Sequence, residues 1–456
     1  MVSFRTLGSK GQNAVLASRE GIAWRCRPTL LVFAGSCTDE AMTADSGGEL
    51  TPDASAFHAP THPYRWAMLA GVWLIYFSFG IFVASMAPLV APITAELGIS
   101  HGAMGTVLGA WPLVYIGASL PAGALIDRMG PRRSIMLCTL LITLSGILRG
   151  VADDYLSMFL AVAVFGLGGP LISIGAPKVM SLWFEGKERG IAMGLYISGP
   201  AIGNIMSLSL TNSVMMPLYG GDWRAVLFTY AGVAVLCGVL WVLISAHPAS
   251  RTMEQQIAAE PKRSQIQVFG ELLAEPVVRL ILVMSVGMFI FNHGLNNWLP
   301  EILRTGGMDA ATAGFWASVP TAVGIIAALT IPRFATEDRR LLVLGLLILS
   351  AGVATMLLHL SAGPLLAIGL MCQGVARGAM MAVSILVLVE SRGVDSRNAG
   401  AAGGLFFSAA EVGGVLGPVL VGAIHDLTGG FAASLYMMTA ICAALLMFLS
   451  WLKRLM

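Results

Sequence analysis

The chain has 456 residues, 56% of them hydrophobic and 11% charged, with a formal net charge of +2 and a mean hydropathy of +0.79. That composition leaves too little polar surface for a water-soluble globule of this size, and the charge balance offers no basic face for nucleic acid. Apolar runs near or beyond the roughly 20 residues that cross a bilayer as helix recur along the chain, while alternating strands of about 10 residues do not, so the expected fold class is an all-α membrane protein and not a transmembrane barrel.

Residues 1–64 differ from the rest: they are polar, rich in Ser, Thr, Gly and Pro, with one apolar patch at 30–33. The patch is too short for a span and lacks a tidy cleavage site, so a disordered cytoplasmic tail is expected. Met42 stands beside Met1 as a second candidate start. Polar breaks then mark twelve spans, near 66–92, 102–124, 134–151, 156–184, 191–213, 224–246, 279–300, 311–331, 341–360, 363–390, 399–423 and 431–452. The one long internal gap, 247–278, carries Arg251, Glu254, Glu260, Lys262 and Arg263. It divides the chain six plus six, into expected bundles at 65–246 and 279–456 joined by a cytoplasmic linker.

Lys and Arg fall unevenly between the spans. Arg128, Arg132, Arg133, Lys187, Arg189, Lys262, Arg263, Arg339, Arg340, Arg392, Arg397, Lys453 and Arg454 lie in gaps on one side, whereas the other side keeps Arg149, Arg224 and Arg304. Basic loops stay in the cytoplasm, which predicts both termini there and, in a bacterium, an inner-membrane protein. Cys138, Cys237, Cys372 and Cys442 sit inside apolar runs and no CxxC pair occurs, so neither a disulfide framework nor a metal site is expected. No phosphate-cradling GxxxxGK[ST] and no hydrolase spacing of Ser and His is present, so neither an enzyme nor a cofactor is expected.

The gap between spans 2 and 3 reads "GALIDRMGPRR", residues 123–133. Topology accounts for its arginines but not for Asp127 or the glycine spacing. The two halves also repeat weakly. "GLYISGPAIGN" at 194–204 aligns with "GLFFSAAEVGG" at 404–414, an offset of 210, and Pro121 and Asp127 align with Pro332 and Asp338 at 211. "FSFG" at 77–80 echoes "FNHG" at 291–294 at 214. Duplication of a six-helix unit suits a transporter that rocks two bundles about a central site.

Gly123, Asp127, Arg128, Gly130, Arg132 and Arg133 together resemble the loop 2–3 signature of the major facilitator superfamily, with Pro131 where an Arg is usual. The second copy, "PRFATEDRR", has lost its glycines. The resemblance runs from about residue 65 to the C-terminus. It implies two six-helix bundles, a cavity lined by spans 1, 4, 7 and 10, and a conformational latch in this loop. Asp127 would accept from the N-terminal amides of a neighbouring helix or pair with an Arg on it, and Gly123 would let helices approach. The simpler reading is a solvated basic loop. "PKVMSLWFEGKERGIAMG" at 177–194, "NWLPEIL" at 297–303 and "GGVLGPVLVGAIHDLTGGF" at 413–431 are similar to the cyanate-permease and oxalate/formate antiporter groups, which points to small anions. Gly199-Pro200 and Gly417-Pro418 resemble fragments of the Gly-Pro motif of facilitator antiporters.

Ionisable groups inside spans are expensive and so are functional candidates. Arg377 lies mid-way along span 10, with Gln373 one turn before it, and could hold a carboxylate by two parallel hydrogen bonds. Glu411 in span 11 could pair with Arg377 or carry a proton, and the residues leave both open. Lys178 in span 4 either faces the cavity or snorkels to the interface. In span 7, Asn292 and Asn296 share a face and suit a polar solute or helix packing, while His293 is a candidate proton carrier. Tyr76 and Trp111 are candidate wall residues, though aromatics in spans more often pack or anchor. The expected function is secondary active transport of a small organic anion, a monocarboxylate or cyanate-like solute, by a monomer that couples to protons or exchanges. The alternatives are transport of an organic cation or amphiphile, with the aromatics as a cation cage, and a non-transporting membrane receptor.

Overall fold

The computed structural model describes residues 15–17, 23–25, 62–250, 265–360, 363–391, 394 and 399–456. The chain falls into two compact units, Met1–Ala56 and Phe57–Met456. In the first, strands β1 (Val15–Ala17) and β2 (Ala23–Arg25) pair antiparallel with Leu16 opposite Trp24. Most of the expected tail lies outside the described residues.

The second unit is helical throughout. Its helices are α1 (Arg65–Ala84), α2 (Val90–Leu97), α3 (His101–Met129), α4 (Pro131–Val151), α5 (Tyr155–Trp183), α6 (Gly186–Leu210) and α7 (Trp223–Ser245). They continue with α8 (Gln265–Ala274), α9 (Pro276–Thr305), α10 (Ala310–Thr330), α11 (Arg340–Leu357), α12 (Pro364–Val389), α13 (Ala399–Thr428) and α14 (Ala432–Leu455). Among the described residues eleven spans are long and apolar enough to cross a membrane, α1 with α2 counting as one. Helix α3 makes twelve if its two segments, bent by 62° on either side of residue 120, count as one crossing. Pro121 opens the second segment and cannot donate to the helix ladder, which is the physical reason for a kink there.

Polar caps set where the spans begin. Ser100 accepts from the N–H of Ala103 to start α3, Asp222 starts α7 and Asp309 starts α10. Asp154 and Ser157 form a capping box at α5, and the Ser157 N–H holds the Asp154 carboxyl below the usual carboxylate range. Gly130, at φ 81°, is the single residue between α3 and α4, a left-handed joint that a residue with a Cβ adopts only under strain.

Span 1 is broken at Ser85–Met86, and the break relocates a residue expected in an outer loop. Arg149 is 1% exposed. Its Nη1 donates to Phe82 O at 3.3 Å and Ser85 Oγ at 3.0 Å, and the guanidinium lies over the rings of Phe82 and Phe165. It satisfies a carbonyl that the interrupted helix leaves without its usual partner. The other two basic residues of that side are tied down as well, Arg224 to Glu96 and Arg304 to Glu301.

The halves repeat in space as well as in sequence. A Cβ on Gly203 of α6 would collide with Phe77 O of α1, and a Cβ on Gly413 of α13 would collide with Val286 O of α9. Only glycine permits either backbone approach. Since Gly203 and Gly413 are aligned copies, Phe77 corresponds to Val286, an offset of 209. "FNHG" is therefore out of register with "FSFG": the echo at 214 is a coincidence of composition, not a structural equivalence.

Contacts between residues before and after the linker concentrate where α3 begins and α13 ends. A Cβ on Gly105 would lie 2.5 Å from Pro418 O, and one on Gly422 would strike His101 O. Helices α6 and α10 close in the same way, with Gly314 against Leu208 O. At the opposite end, around the 124–133 loop, Cβ atoms on Gly123, Gly190, Gly194, Gly403 and Gly404 would meet nothing within 4 Å. The second unit is closed at one end and open at the other.

Candidate substrate cavity

A cavity of about 390 Å³ lies between the two sets of helices, within the range of small-molecule sites. Its walls come from α1, α3, α6, α9, α10 and α12. Helix α5, the expected fourth lining span, contributes no wall residue among those described.

One wall is aromatic. Tyr76 stacks on Tyr196 with centroids 5.7 Å apart, and Phe79 meets Trp111 edge-on at 6.4 Å. Phe289 and Trp111 each approach the His293 ring at 5.4 Å. The facing wall is polar. Arg377 Nη1 donates to Thr321 Oγ1 at 2.8 Å, Thr321 donates to Asn204 Oδ1 at 3.0 Å, and Asn204 Nδ2 donates to Asn296 Oδ1 at 3.3 Å. Each hydroxyl and amide acts once as donor and once as acceptor, or singly, so the run is self-consistent. It draws α12, α10, α6 and α9 together and crosses between the halves at Asn204. Among the described wall residues Arg377 alone carries a fixed charge. One Nη1 contact leaves most of its planar fork free for a ligand. Asn292 also lines the cavity, and its Oδ1 has no hydrogen-bond partner.

The sequence candidates divide accordingly. Tyr76, Trp111, Asn292, His293, Asn296 and Arg377 share the cavity. Lys178 does not line it: its Nζ lies 2.7 Å from Asp127 Oδ1, at the open end. A half-buried ammonium and an exposed carboxylate meet there more cheaply than a lone ammonium could be buried. Gln373 is 2% exposed and packed behind the wall, because one helical turn from Arg377 carries it past the cavity surface. Glu411 and Arg377 form no ion pair among the described residues. Glu411, 6% exposed, instead places Oε2 3.9 Å from His293 Nε2, and that oxygen accepts no hydrogen bond. His293 thus stands between the cavity and a buried carboxyl.

Two participants escaped the sequence reading. Asn204 closes the very repeat that was aligned, but its second copy is Gly414, so the repeat gave no reason to single it out. Thr321 carries no signal at all; a lone Thr in a span usually bonds its own helix.

The 123–133 stretch, expected as a loop, is helical except at Gly130: Asp127 pairs with Lys178, Arg132 Nε donates to Ser245 Oγ at 3.2 Å, and Gly130 forms the joint. Arg128 and Arg133 are exposed, and a Cβ on Gly123 would meet no described residue within 4 Å. The arrangement expected of Asp127 occurs at the other end of the molecule. There Asp426 of α13 accepts from the N–H groups of His101 (3.1 Å) and Gly102 (2.7 Å), the first turn of α3.

Eleven or twelve spans among the described residues, a central cavity between helix sets that close at one end, and a repeated six-helix pattern are the architecture of a membrane transporter. The Major Facilitator Superfamily model matches residues 72–337, more than half of the chain, and the chain belongs to that family. It is 27% identical to the uncharacterized transporter YycB of Bacillus subtilis over 82% of this chain and 90% of that one. It is 27% identical to a quinolone resistance transporter of Acinetobacter baumannii, over 76% and 84% respectively. With the hexuronate transporter of Bacillus subtilis it shares 22% identity over 75% and 83%. Among solved structures, a mutant of the nucleoside transporter NupG superimposes with a TM-score of 0.71 at 13% identity, covering 85% of this chain and 99% of that one. That likeness shows the fold.

Proposed function

We propose that the chain is a secondary transporter of small organic anions, carrying a carboxylate on Arg377. The observation that supports this most is the charge of the cavity: among the described wall residues there is one guanidinium and no carboxylate. An organic cation would enter against that charge in a low-dielectric setting, while the aromatic wall serves an apolar body equally well for either class. A hexuronate transporter among the relatives agrees with an anion; a quinolone resistance transporter keeps the amphiphile reading as the rival. A triatomic, cyanate-like ion would leave most of about 390 Å³ to water at about 30 Å³ per molecule. A monocarboxylate with an apolar body is therefore the better fit.

The transporter works as a monomer, with both termini and the 123–133 loop in the cytoplasm, so the cavity opens inward and the α3–α13 contact seals the outside. Glu411 and His293 carry the coupling proton, and exchange is the second mode. Thermal-shift measurements on the purified chain with matched acids and amines test the substrate class. A ligand at a hundred times its Kd adds about 2.7 kcal/mol, enough to raise Tm by a few degrees. Aromatic or aliphatic monocarboxylates are expected to give that shift; stabilisation by amines alone would overturn the anion reading.

Asp127→Asn tests the loop as a latch. The ion pair it removes is 41% exposed on the Asp side, so little global stability is at stake. Turnover in vesicles is expected to fall several-fold while apparent affinity stays within about twofold, because the change biases one conformation without touching the cavity. Normal turnover would reduce the loop to a topology signal.

A further inference from the structure

The closed end holds a cluster that transport of an organic anion does not use. His101 opens α3, and His425 and Asp426 lie near the end of α13, so the donors come from both halves. Each offers one ligand atom within 4.8 Å of the others. The geometry points to a site for one divalent transition-metal ion of the Zn²⁺ type, held by His101, His425 and Asp426.

His101 Nδ1 and His425 Nδ1 lie 3.9 and 3.8 Å from the same oxygen, Asp426 Oδ1. Those separations are too long for hydrogen bonds. They sit close to the spacing of about 3.3 Å between two donors on one tetrahedral Zn²⁺ with bonds near 2.05 Å. His425 Nδ1 is buried and has no hydrogen-bond partner, which leaves a polar atom aimed at Asp426 with nothing to bind. Beyond the far edge of the His101 ring, Nε2 faces Glu301 Oε1 at 3.8 Å, within ion-pair range though too long for a hydrogen bond, and Arg304 grips that carboxylate at 2.6 and 2.8 Å. A carboxylate that closes on a metal-binding imidazole fixes its tautomer and raises its basicity, and Glu301 stands within a short movement of doing so. Asp426 is exposed, so an ion reaches the cluster from water. Two imidazoles and a carboxylate suit Zn²⁺, Co²⁺ or Ni²⁺ over Mg²⁺ or Ca²⁺, which prefer all-oxygen sites.

On the transport cycle proposed above, α3 and α13 part when this end opens, so the three donors converge only while it is closed. A bound ion therefore favours the closed form and holds the carrier there, whatever solute it moves.

Titration calorimetry of the purified full chain with Zn²⁺ tests the site, with the visible spectrum of added Co²⁺ as a reading that needs no variant. One equivalent of Zn²⁺ is expected to bind, weakened at least tenfold by His101→Gln and by His425→Gln but not by His359→Gln, which lies outside the cluster. Co²⁺ is expected to show the intense ligand-field bands of a low-coordinate nitrogen–oxygen site. Zn²⁺ affinity unchanged in a folded His425→Gln protein, an equal loss in His359→Gln, or a Co²⁺ spectrum no different from the aqueous ion would each overturn the proposal.

Discussion

Arg377→Ala is expected to weaken binding of the transported carboxylate at least a hundredfold while leaving the protein folded in the membrane. Removing one member of a desolvated, hydrogen-bonded charge pair costs about 3 kcal/mol or more, part of it the stranded partner charge. Here the partner is the ligand, not another side chain. Arg377 bonds only Thr321 on the protein side and no carboxylate pairs with it among the described residues, so its loss strands nothing when the cavity is empty. Arg377→Lys should keep part of the affinity, since an ammonium supplies charge without the planar fork. Calorimetry with the acid that gives the largest thermal shift measures both. Should Arg377→Ala lower expression instead, and the added change Glu411→Gln restore both expression and transport, the two residues would be a structural pair and Arg377 would leave the site.

Glu411→Gln is expected to abolish uphill accumulation driven by a proton gradient while sparing solute exchange. Glutamine keeps the shape but neither takes up nor releases a proton, so the carrier still moves substrate yet gains nothing from the gradient. Among the described residues the group paired with the Glu411 carboxyl is His293, 3.9 Å away and itself on the cavity wall, with the Tyr115 phenol also within electrostatic reach. A proton held between Glu411 and His293 lies one residue from the ligand, which is the proximity that coupling requires. Proteoliposomes with an imposed pH difference give the readout: the accumulation ratio should fall to about one in the variant, with counterflow still measurable. Accumulation equal to that of the unaltered chain would exclude Glu411 as the carrier of the coupled proton.

How much of this was legible in the sequence differs by level. The spans were, because a bilayer demands about 20 apolar residues and a chain cannot hide that; α9 and α12 begin within a few residues of where the apolar runs do. Breaks inside spans were not. Ser85–Met86 interrupts an unbroken apolar run, and what makes the break tolerable is Arg149, distant in sequence and placed in a loop on charge alone. At the cavity, residues that are costly in lipid announced themselves: Arg377, His293, Asn292 and Asn296 all face it. Direction around a helix was harder. Gln373 and Lys178 are as polar as the wall residues, yet a turn or a helix face separates them from it. Pairing was hardest, since Glu411 meets His293 instead of Arg377 for reasons of helix placement that no single sequence records.

The run from Arg377 through Thr321 and Asn204 to Asn296 has a bearing on speed. A seam made of apolar side chains would hold its two faces together by the full cost of wetting them, about 25 cal/mol for every Å² exposed. Hydrogen-bonded groups are nearly as well served by water as by each other, and each bond contributes only about 1 kcal/mol net. Asn204 is the sole contribution of α6 to this run and makes just two such bonds, the longer at 3.3 Å. Solvent that reaches Asn204 can replace both, so this run adds little to the cost of parting the faces. For the alternating cycle proposed above, a fastening that water can undo serves better than one it cannot.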